Sequence, residues 1–146
     1  MSIKSRRAYA SLPKVRKILR ELPDELTKAL KTTFAEGAEE MAQQATANVV
    51  EAGLIDSGDL VRSMKAKPSR DGLTAKVGIV GQRDNKQVWY AHFHEFGTRG
   101  CPEKNNPPLP AQHFLGRAFD QTKQRFGQRI ADEVDRALDR ASQGKK

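Results

Sequence analysis

Residues 89–98 read Trp89-Tyr90-Ala91-His92-Phe93-His94-Glu95-Phe96-Gly97-Thr98. These ten positions hold four aromatic residues, two of the three histidines and one glutamate. The composition predicts a β-strand over residues 87–96, since aromatic residues are enriched in strands. Gly97 ends this pattern, and four prolines between residues 97 and 110 predict a long loop.

The rest of the chain predicts two long helices and a hairpin. A stripe of apolar residues at steps of three or four predicts a helix from Asp24 to near Gly53. Residues 64–68 and 73–81 predict two strands, joined by a turn around Asp71 and Gly72. Residues 81–86 predict a polar loop, and a second apolar stripe predicts a final helix over residues 111–142. We expect an α+β fold, with a long N-terminal helix and a C-terminal helix packed on a small antiparallel β-sheet.

The apolar stripes of the two predicted helices identify the candidate core. In the first helix the stripe consists of Leu26, Leu30, Phe34, Ala38, Met41, Ala45 and Val49. In the last helix it consists of Leu115, Phe119, Thr122, Phe126, Ile130, Val134 and Leu138. Each set lies on one face of a helix with 3.6 residues per turn.

Composition bounds the class of protein. The 146 residues make one ordinary domain, yet the hydrophobic share of 37% is low and the charged share of 30% is high. Such a chain is a thin domain, carries a disordered arm, or completes its core in an assembly. Cys101 is the single cysteine, which excludes an internal disulfide and fits a reducing compartment. No apolar run approaches the ~20 residues of a membrane span, so we expect a soluble protein made in a cytoplasm and no membrane partner.

The net charge of +8 is concentrated at one end. Residues 1–20 hold seven bases and no acid, whereas the other residues hold 19 bases and 18 acids. We therefore predict a flexible basic arm over residues 1–20 and a single domain over residues 21–146. Such an arm attracts nucleic acid or an acidic protein surface, although it can also serve as a solubilising tail or a transit peptide.

The histidines and Cys101 form the one cluster of residues suited to chemistry. On a strand, His92 and His94 would share a face and could bind one zinc ion, with Cys101 and His113 as further ligands. The spacing matches no zinc signature, and satisfied or exposed histidines are the alternative. A Cys101–His94 nucleophile pair has nothing in the sequence to activate it. We expect no catalytic residue, no metal, no cofactor and no enzymatic activity. For Glu95 we expect a structural role, in which its carboxylate, at the end of a strand, accepts the N–H groups of the turn that follows it.

The order of these segments resembles the head–tail connector and tail-completion family of lambda-like siphophages. The resemblance covers about residues 24–135 and follows the long first helix with residues 56–63, 76–80, 90–98 and 110–119. Its motif positions are Gly58, Leu60, Tyr90, Glu95, Phe96, Gly97, Thr98, Phe114 and Leu115. His113 and Gly116 stand where the family commonly has proline, and the loop over residues 97–110 is longer than the family's.

The resemblance implies a structural morphogenesis protein of a phage or prophage. Such a protein forms a homo-oligomeric ring, with a hexamer as one candidate size, at the head–tail junction or at the tail end. It would contact neighbouring neck or adaptor proteins and tail-tube proteins, with DNA passing through the ring, and would be assembled into the virion in the bacterial host cytoplasm. The candidate contacts are Arg6, Arg7, Arg16 and Lys17 in the arm and Arg83, Lys86 and Lys104 in loops.

Two other functions stay open on the residues alone. The basic arm supports a small nucleic-acid-binding module, although the nearly neutral body lacks a helix with clustered bases. The three histidines leave a small metal-dependent enzyme as the second rival.

Overall fold

The computed structural model describes residues 24–143. The predicted basic arm lies outside the described residues, as do its candidate contacts Arg6, Arg7, Arg16 and Lys17. The elements, in chain order, are α1 (Asp24–Glu51), α2 (Asp59–Ser63), β1 (Met64–Pro68), β2 (Ala75–Ile79), α3 (Gln82–Gln87), α4 (Ala91–Phe96), a 3-10 turn (Pro102–Lys104) and α5 (Phe114–Gln143).

Helix α1 confirms the prediction for the first part of the chain. Its apolar stripe is buried or half-buried along its whole length, and Leu30, Ala45 and Val49 are completely inaccessible to solvent. Just beyond its end, Gly53 has φ +73°, a left-handed conformation that glycine adopts without strain. The 3.6-residue period of the sequence was therefore sufficient to place this helix.

Helices α1 and α5 pack along each other and make the most extensive contact between elements. They approach each other closely at Gly37, where a Cβ atom would lie 2.2 Å from the ring of Phe126. The same ring meets Phe34 edge to face, with 5.2 Å between ring centroids. A second small cluster, formed by Leu26, Leu30 and Leu73 against the later turns of α5, extends the packing.

The predicted final helix needs two corrections. It begins at Phe114 rather than at residue 111, because His113 has φ +48°, a left-handed conformation that cannot continue a right-handed helix. Its buried face is also rotated towards Phe114 and Ala118, so that Phe119 and Leu138 of the predicted stripe lie largely in solvent.

The hairpin confirms the predicted antiparallel pairing. Met64 lies opposite Ile79 and Pro68 opposite Ala75, and β2 is shorter than the predicted strand over residues 73–81. In the turn, Gly72 has φ +68° and its N–H bonds to the carbonyl of Ser69. The sheet packs mainly against α1, which confirms the α+β class.

The prediction of a third strand over residues 87–96 is wrong, as is that of a loop over residues 81–86. Both stretches form short helices, α3 and α4, and the sheet within residues 24–143 has two strands. The reason is the spacing of the buried residues: Val88, Ala91 and Glu95 are buried at steps of three and four. This is the period of a helix, and it outweighs the strand preference of the aromatic residues between them.

The main core lies where α1, the hairpin, α4 and the start of α5 meet. It is formed by the buried residues Ala45, Val49, Leu60, Met64, Val88, Ala91, Phe114 and Ala118. None of the helices in the described part of the chain combines the length and the apolar character that a bilayer span requires.

Candidate functional site

A buried carboxylate joins α4 to α5. Glu95 is only 6% exposed, and its two oxygens accept the N–H groups of Leu115 (2.9 Å) and Gly116 (3.1 Å). These donors belong to the first turn of α5, where no carbonyl of the helix can reach them. The negative charge also lies at the positive end of the α5 dipole. The carboxylate therefore does not bind the turn that follows it, as predicted, because the N–H groups of Gly97 and Thr98 bond to other carbonyls. Instead it caps a helix twenty residues further along the chain.

Two backbone hydrogen bonds complete this junction between α4 and α5. We call these two bonds, together with the Glu95 cap on Leu115 and Gly116, the Glu95 latch. The N–H of Gln112 donates to the carbonyl of His94 (2.7 Å), and that of His113 donates to the carbonyl of Glu95 (3.1 Å). The latch fixes both the direction of α4 and the starting point of α5.

Gly97 is required at the exit of α4. Its φ is +74°, and a Cβ atom there would lie 2.7 Å from the carbonyl oxygen of Leu109 and 2.9 Å from the nitrogen of Ala111. These neighbours are backbone atoms, which cannot rotate away. The glycine of the Glu-Phe-Gly-Thr motif thus lets the two ends of the following loop come together.

The loop over residues 97–110 is anchored at its base. Thr98 and Leu109 exchange two backbone hydrogen bonds of 2.8 and 3.1 Å, and Cys101 and Asn106 form a second bridge further out. Residues 102–105, which lie beyond both bridges, are all exposed, and Lys104 lies in the 3-10 turn at this outer end. The loop is therefore positioned at its base and presents its outer part to solvent.

Aromatic rings lie on the side of α4 opposite the core and in the turn before it. We call Trp89 of the turn and His92, Phe93 and Phe96 of α4 the aromatic face, because they recur at steps of three and four residues. Trp89 is 63% exposed and Phe96 is 71% exposed. The rings of Trp89 and Phe93 meet edge to face at 5.8 Å, and His92 lies against Phe93. Two large, largely exposed aromatic side chains thus lie on one short helical segment.

The histidines do not form the pair that the sequence predicted. In α4, positions 92 and 94 point roughly 200° apart around the helix instead of sharing the face of a strand. His92 Nδ1 lies 2.8 Å from the carbonyl of Trp89, whereas His94 packs edge-on against Tyr90. His113 is exposed, with φ +48°. Within residues 24–143 no three His, Cys, Asp or Glu side chains are grouped as a metal site would require.

The Ser-Gly-Asp-Leu segment forms the start of α2. Gly58 has φ +72° immediately before the helix, and Leu60 is 2% exposed in the main core. The Ser57 hydroxyl donates to the Asp59 carboxylate (2.7 Å), and Arg62 forms an ion pair with the same group. These interactions, that of Ser57 foremost, hold the pKa of Asp59 below its ordinary value.

The remaining candidate residues lie on separate elements. Arg83 and Lys86 are exposed on helix α3 rather than in the predicted loop, and Lys104 lies at the outer end of the anchored loop. Phe114 is 1% exposed in the main core, while Leu115 lies over the hairpin, within 3.6 Å of the Cβ position of Gly78.

Asn48 is a structural residue that sequence reasoning missed. It is 1% exposed, and its amide donates to the carbonyl of Phe114 (3.0 Å) and to Gln121 Oε1 (2.9 Å). It therefore links α1 directly to the start of α5, beside the Glu95 latch. An amide next to the apolar stripe of a helix was the available signal, but nothing in the sequence identified its partner.

These features define a small α+β protein with an anchored loop and an exposed aromatic face. A scan of protein families matches residues 14–97 to the family described as "Bacteriophage HK97-gp10, putative tail-component". Searches of curated proteins and of solved structures gave no match.

Because the match covers more than half of its 146 residues, the chain belongs to the HK97-gp10-like family. It is a structural phage protein of the tail or neck, and as such a component of the virion. The family is one of structural tail components rather than enzymes. The resemblance to head–tail connector and tail-completion proteins is confirmed at this level.

The matched segment differs in extent from the resemblance drawn from the motifs. It begins at Lys14, within the predicted arm, and ends at Gly97. Phe114 and Leu115, the motif residues of the C-terminal segment, lie beyond it.

Proposed function

We propose that this protein forms a homo-oligomeric ring that completes the tail or joins it to the head. The observation that carries this proposal is the aromatic face of α4, held directly beside an anchored, outward-facing loop. Both features depend on the Glu95 latch, so one junction positions two surfaces suited to contact with other subunits.

The aromatic face has the properties of a subunit contact. Trp89 and Phe96 are each more than 60% exposed, and burying such rings removes a large apolar area from water at roughly 25 cal/mol per Å². Tryptophan and other aromatic residues are also enriched at the centres of protein interfaces. A ring uses head-to-tail contacts, so the face would pack on a different surface of the next subunit.

Part of α5 offers such a second surface. Phe119 is 52% exposed, and the ammonium group of Lys123 lies 5.8 Å from the centre of its ring. This pair is an apolar side chain flanked by a charge, as at the edge of many interfaces. In the proposed ring, the aromatic face of one subunit packs against the Phe119 side of the next.

The anchored loop and the charged segments are the proposed contacts to other phage proteins. Lys104 at the loop's outer end, and Arg83 and Lys86 on α3, are exposed cations that would face neck, adaptor or tail-tube proteins. A segment that orders on contact can join rings of different symmetry, at an entropic cost that the new interface offsets.

The arm over residues 1–20 is the proposed third contact, joined to a single domain over residues 21–146. Replacing Arg6, Arg7, Arg16 and Lys17 by Gln should weaken head–tail joining and make joining less sensitive to salt. Joining assays at increasing ionic strength would test this, and unchanged joining would exclude the arm as a contact.

The ring itself is tested by the mass of the assembled protein. We would measure the mass by light scattering, alone and with the tail-tube protein of the same phage, and image the particles by negative-stain electron microscopy. We expect a closed ring for the wild type and a monomer for the Trp89→Ser, Phe96→Ser double variant.

The matched control is Val50→Ser with Leu138→Ser, which removes two exposed apolar side chains outside the aromatic face. The control should keep the wild-type mass. A wild-type monomer both alone and with the tail-tube protein would contradict the ring. An equal loss of assembled mass in the two double variants would show that the aromatic face is not a specific subunit contact.

A further inference from the structure

One face of the β-hairpin is basic. Lys65 and Lys67 occupy alternate positions of β1 and therefore point to the same side of the sheet. Lys76 of β2 lies directly opposite Lys67 in the antiparallel register, which adds it to this side. All three side chains are exposed.

Two more cations lie at the turn of the hairpin. Arg70 is exposed in the turn itself. Lys31 of α1 lays its aliphatic stem over Gly72, with its Cγ atom 2.6 Å from the Cβ position of that glycine. We call these five residues, Lys31, Lys65, Lys67, Arg70 and Lys76, the basic hairpin.

Two opposed lysines of the basic hairpin carry charges that the described structure does not neutralise. Like charges directly opposite each other destabilise a strand pair, yet Lys67 faces Lys76. Among the side chains that the structure describes, neither of these two lysines has an ion-pair partner. The acid of the turn, Asp71, already accepts bonds from the Ser69 hydroxyl and from the N–H of Leu73. The folded protein therefore maintains a repulsive pair that an external anion would stabilise.

The shape of this surface suits an anion. Lys67 and Lys76 border a shallow depression that is also lined by Ser69 and Thr74, which carry hydroxyl groups, and by Pro68, Ala75 and Val80. Ammonium and hydroxyl groups are common ligands of phosphate oxygens. Several cations along one extended hairpin match a polymer with regularly spaced charges better than a single small ion.

The composition of the hairpin favours DNA over an acidic protein. Residues 64–79 contain no aromatic residue, and the side described above presents lysine amines. Protein interfaces are depleted of lysine at their centres and enriched in aromatic residues. Contacts to the DNA backbone, by contrast, are made largely by Lys and Arg and need no apolar centre.

We propose that the basic hairpin binds the phosphate backbone of double-stranded DNA without sequence preference. The nearly neutral charge of the residues after the arm gave no sign of this surface. A domain with almost equal numbers of acids and bases can still carry them on different parts of its surface. The location of the basic hairpin along the path of packaged DNA rests on the ring proposed above. The contact between the hairpin and DNA does not depend on the ring.

The test is equilibrium binding of the full-length protein to a short, fluorescently labelled DNA duplex of mixed sequence. Lys67→Gln with Lys76→Gln removes the two opposed charges. We expect affinity to fall about tenfold or more at ~0.1 M salt, and the slope of log affinity against log salt to become shallower by about 2. A second comparison uses two proteins in which the four arm residues are changed to Gln, one with and one without the hairpin substitutions. DNA binding by the arm then cannot mask the effect of the hairpin.

The matched control is Arg136→Gln with Arg140→Gln, which removes two exposed charges from α5. Wild-type binding in the hairpin variant, or an equal loss in the control, would overturn the proposal. Tighter binding of polyglutamate than of DNA at equal charge, lost in the hairpin variant, would assign the surface to an acidic protein instead. Light scattering of each variant in the same buffer separates loss of DNA binding from loss of the ring.

Discussion

At the residue scale, Glu95 shows how one buried charge can organise the contact surface of this protein. A carboxylate that is only 6% exposed needs hydrogen-bond donors, and the N–H groups of Leu115 and Gly116 supply them. The same interaction gives α5 the cap that its own sequence lacks. The motif residue is therefore explained by the helix it caps rather than by any chemistry of its own.

Replacing Glu95 by Ala should destabilise the protein by about 2–4 kcal/mol, because two N–H groups in the first turn of α5 lose their charged acceptor. Glu95→Gln keeps one acceptor oxygen and should cost about half as much. Urea denaturation followed by circular dichroism measures both. Glu103→Ala, in the exposed part of the loop, is the control and should stay within about 0.5 kcal/mol of the wild type. Equal stability of Glu95→Ala and the wild type would refute the latch.

Asp59 predicts a change of stability with pH. The Ser57 hydroxyl and Arg62 hold the pKa of Asp59 below its ordinary value in the folded protein. The stability contributed by the charged form is therefore present above the unfolded-state pKa and is lost as the pH falls through the lower, folded-state pKa. Asp59→Asn should be less stable than the wild type at pH 7, with the difference shrinking on acidification below about pH 4. Denaturation curves across that range test this, and a constant difference would contradict it.

At the scale of elements, the crossing of α1 and α5 depends on Gly37. An added methyl group would overlap the ring of Phe126, which itself packs on Phe34. Gly37→Ala should cost about 1–3 kcal/mol through overpacking, despite the higher helix propensity of alanine. The chain supplies its own control in Gly127 of α5, where a Cβ atom meets nothing within 4 Å. Gly127→Ala should stabilise by about 0.5–1 kcal/mol, and thermal unfolding of both variants would reveal whether their signs differ.

The elements also show what the sequence could and could not predict. Helix α1 and strand β1 followed from periodicity, since most of their buried residues are apolar. Helix α4 and the turn before it did not, because their buried side is made of Val88, Ala91 and Glu95 while the large rings of Trp89 and Phe96 face outward. A prediction that assumes buried aromatic residues therefore exchanges the buried and the exposed sides of this segment. The prediction that His92 and His94 share one face was wrong for the same reason, because it assumed that this segment is a strand.

The candidate site was predictable in part. The Glu-Phe-Gly-Thr motif located the junction, and Gly97 was correctly taken as the end of an element. The partner of Glu95 lies twenty residues away, and the basic hairpin joins residues from α1, β1 and β2. Contacts between distant segments depend on the packed fold, and local patterns do not reveal them.

At the scale of the whole molecule, the charges are arranged unevenly. On the α1–α5 side, Glu40 is held by both Arg125 and Arg129 at 3.0 Å, and Glu51 pairs with Arg117 at 2.7 Å. Such exposed pairs contribute little to stability, but they neutralise this side of the molecule. The opposed lysines that lack an ion pair within the described residues lie on the hairpin, so that the apolar and the basic contact surfaces belong to different elements.

The anchored loop should matter to assembly more than to folding. Replacing residues 102–105 by a short glycine linker leaves the Thr98–Leu109 bridge and the latch intact, so we expect thermal stability to change little. Phage carrying this variant should nevertheless produce fewer joined particles. A plaque count, together with the thermal midpoint of the purified variant, tests this prediction. Normal plaque numbers would show that the outer part of the loop is not needed for assembly.

Electron microscopy of a lysate in which this gene alone is deleted tests the proposed role in tail completion or head–tail joining. We expect DNA-filled heads lying apart from tails, or tails with abnormal ends or lengths. Wild-type protein supplied in trans should restore joined particles, and the Trp89→Ser, Phe96→Ser variant should not. Normal infectious particles in the deletion lysate would contradict the account.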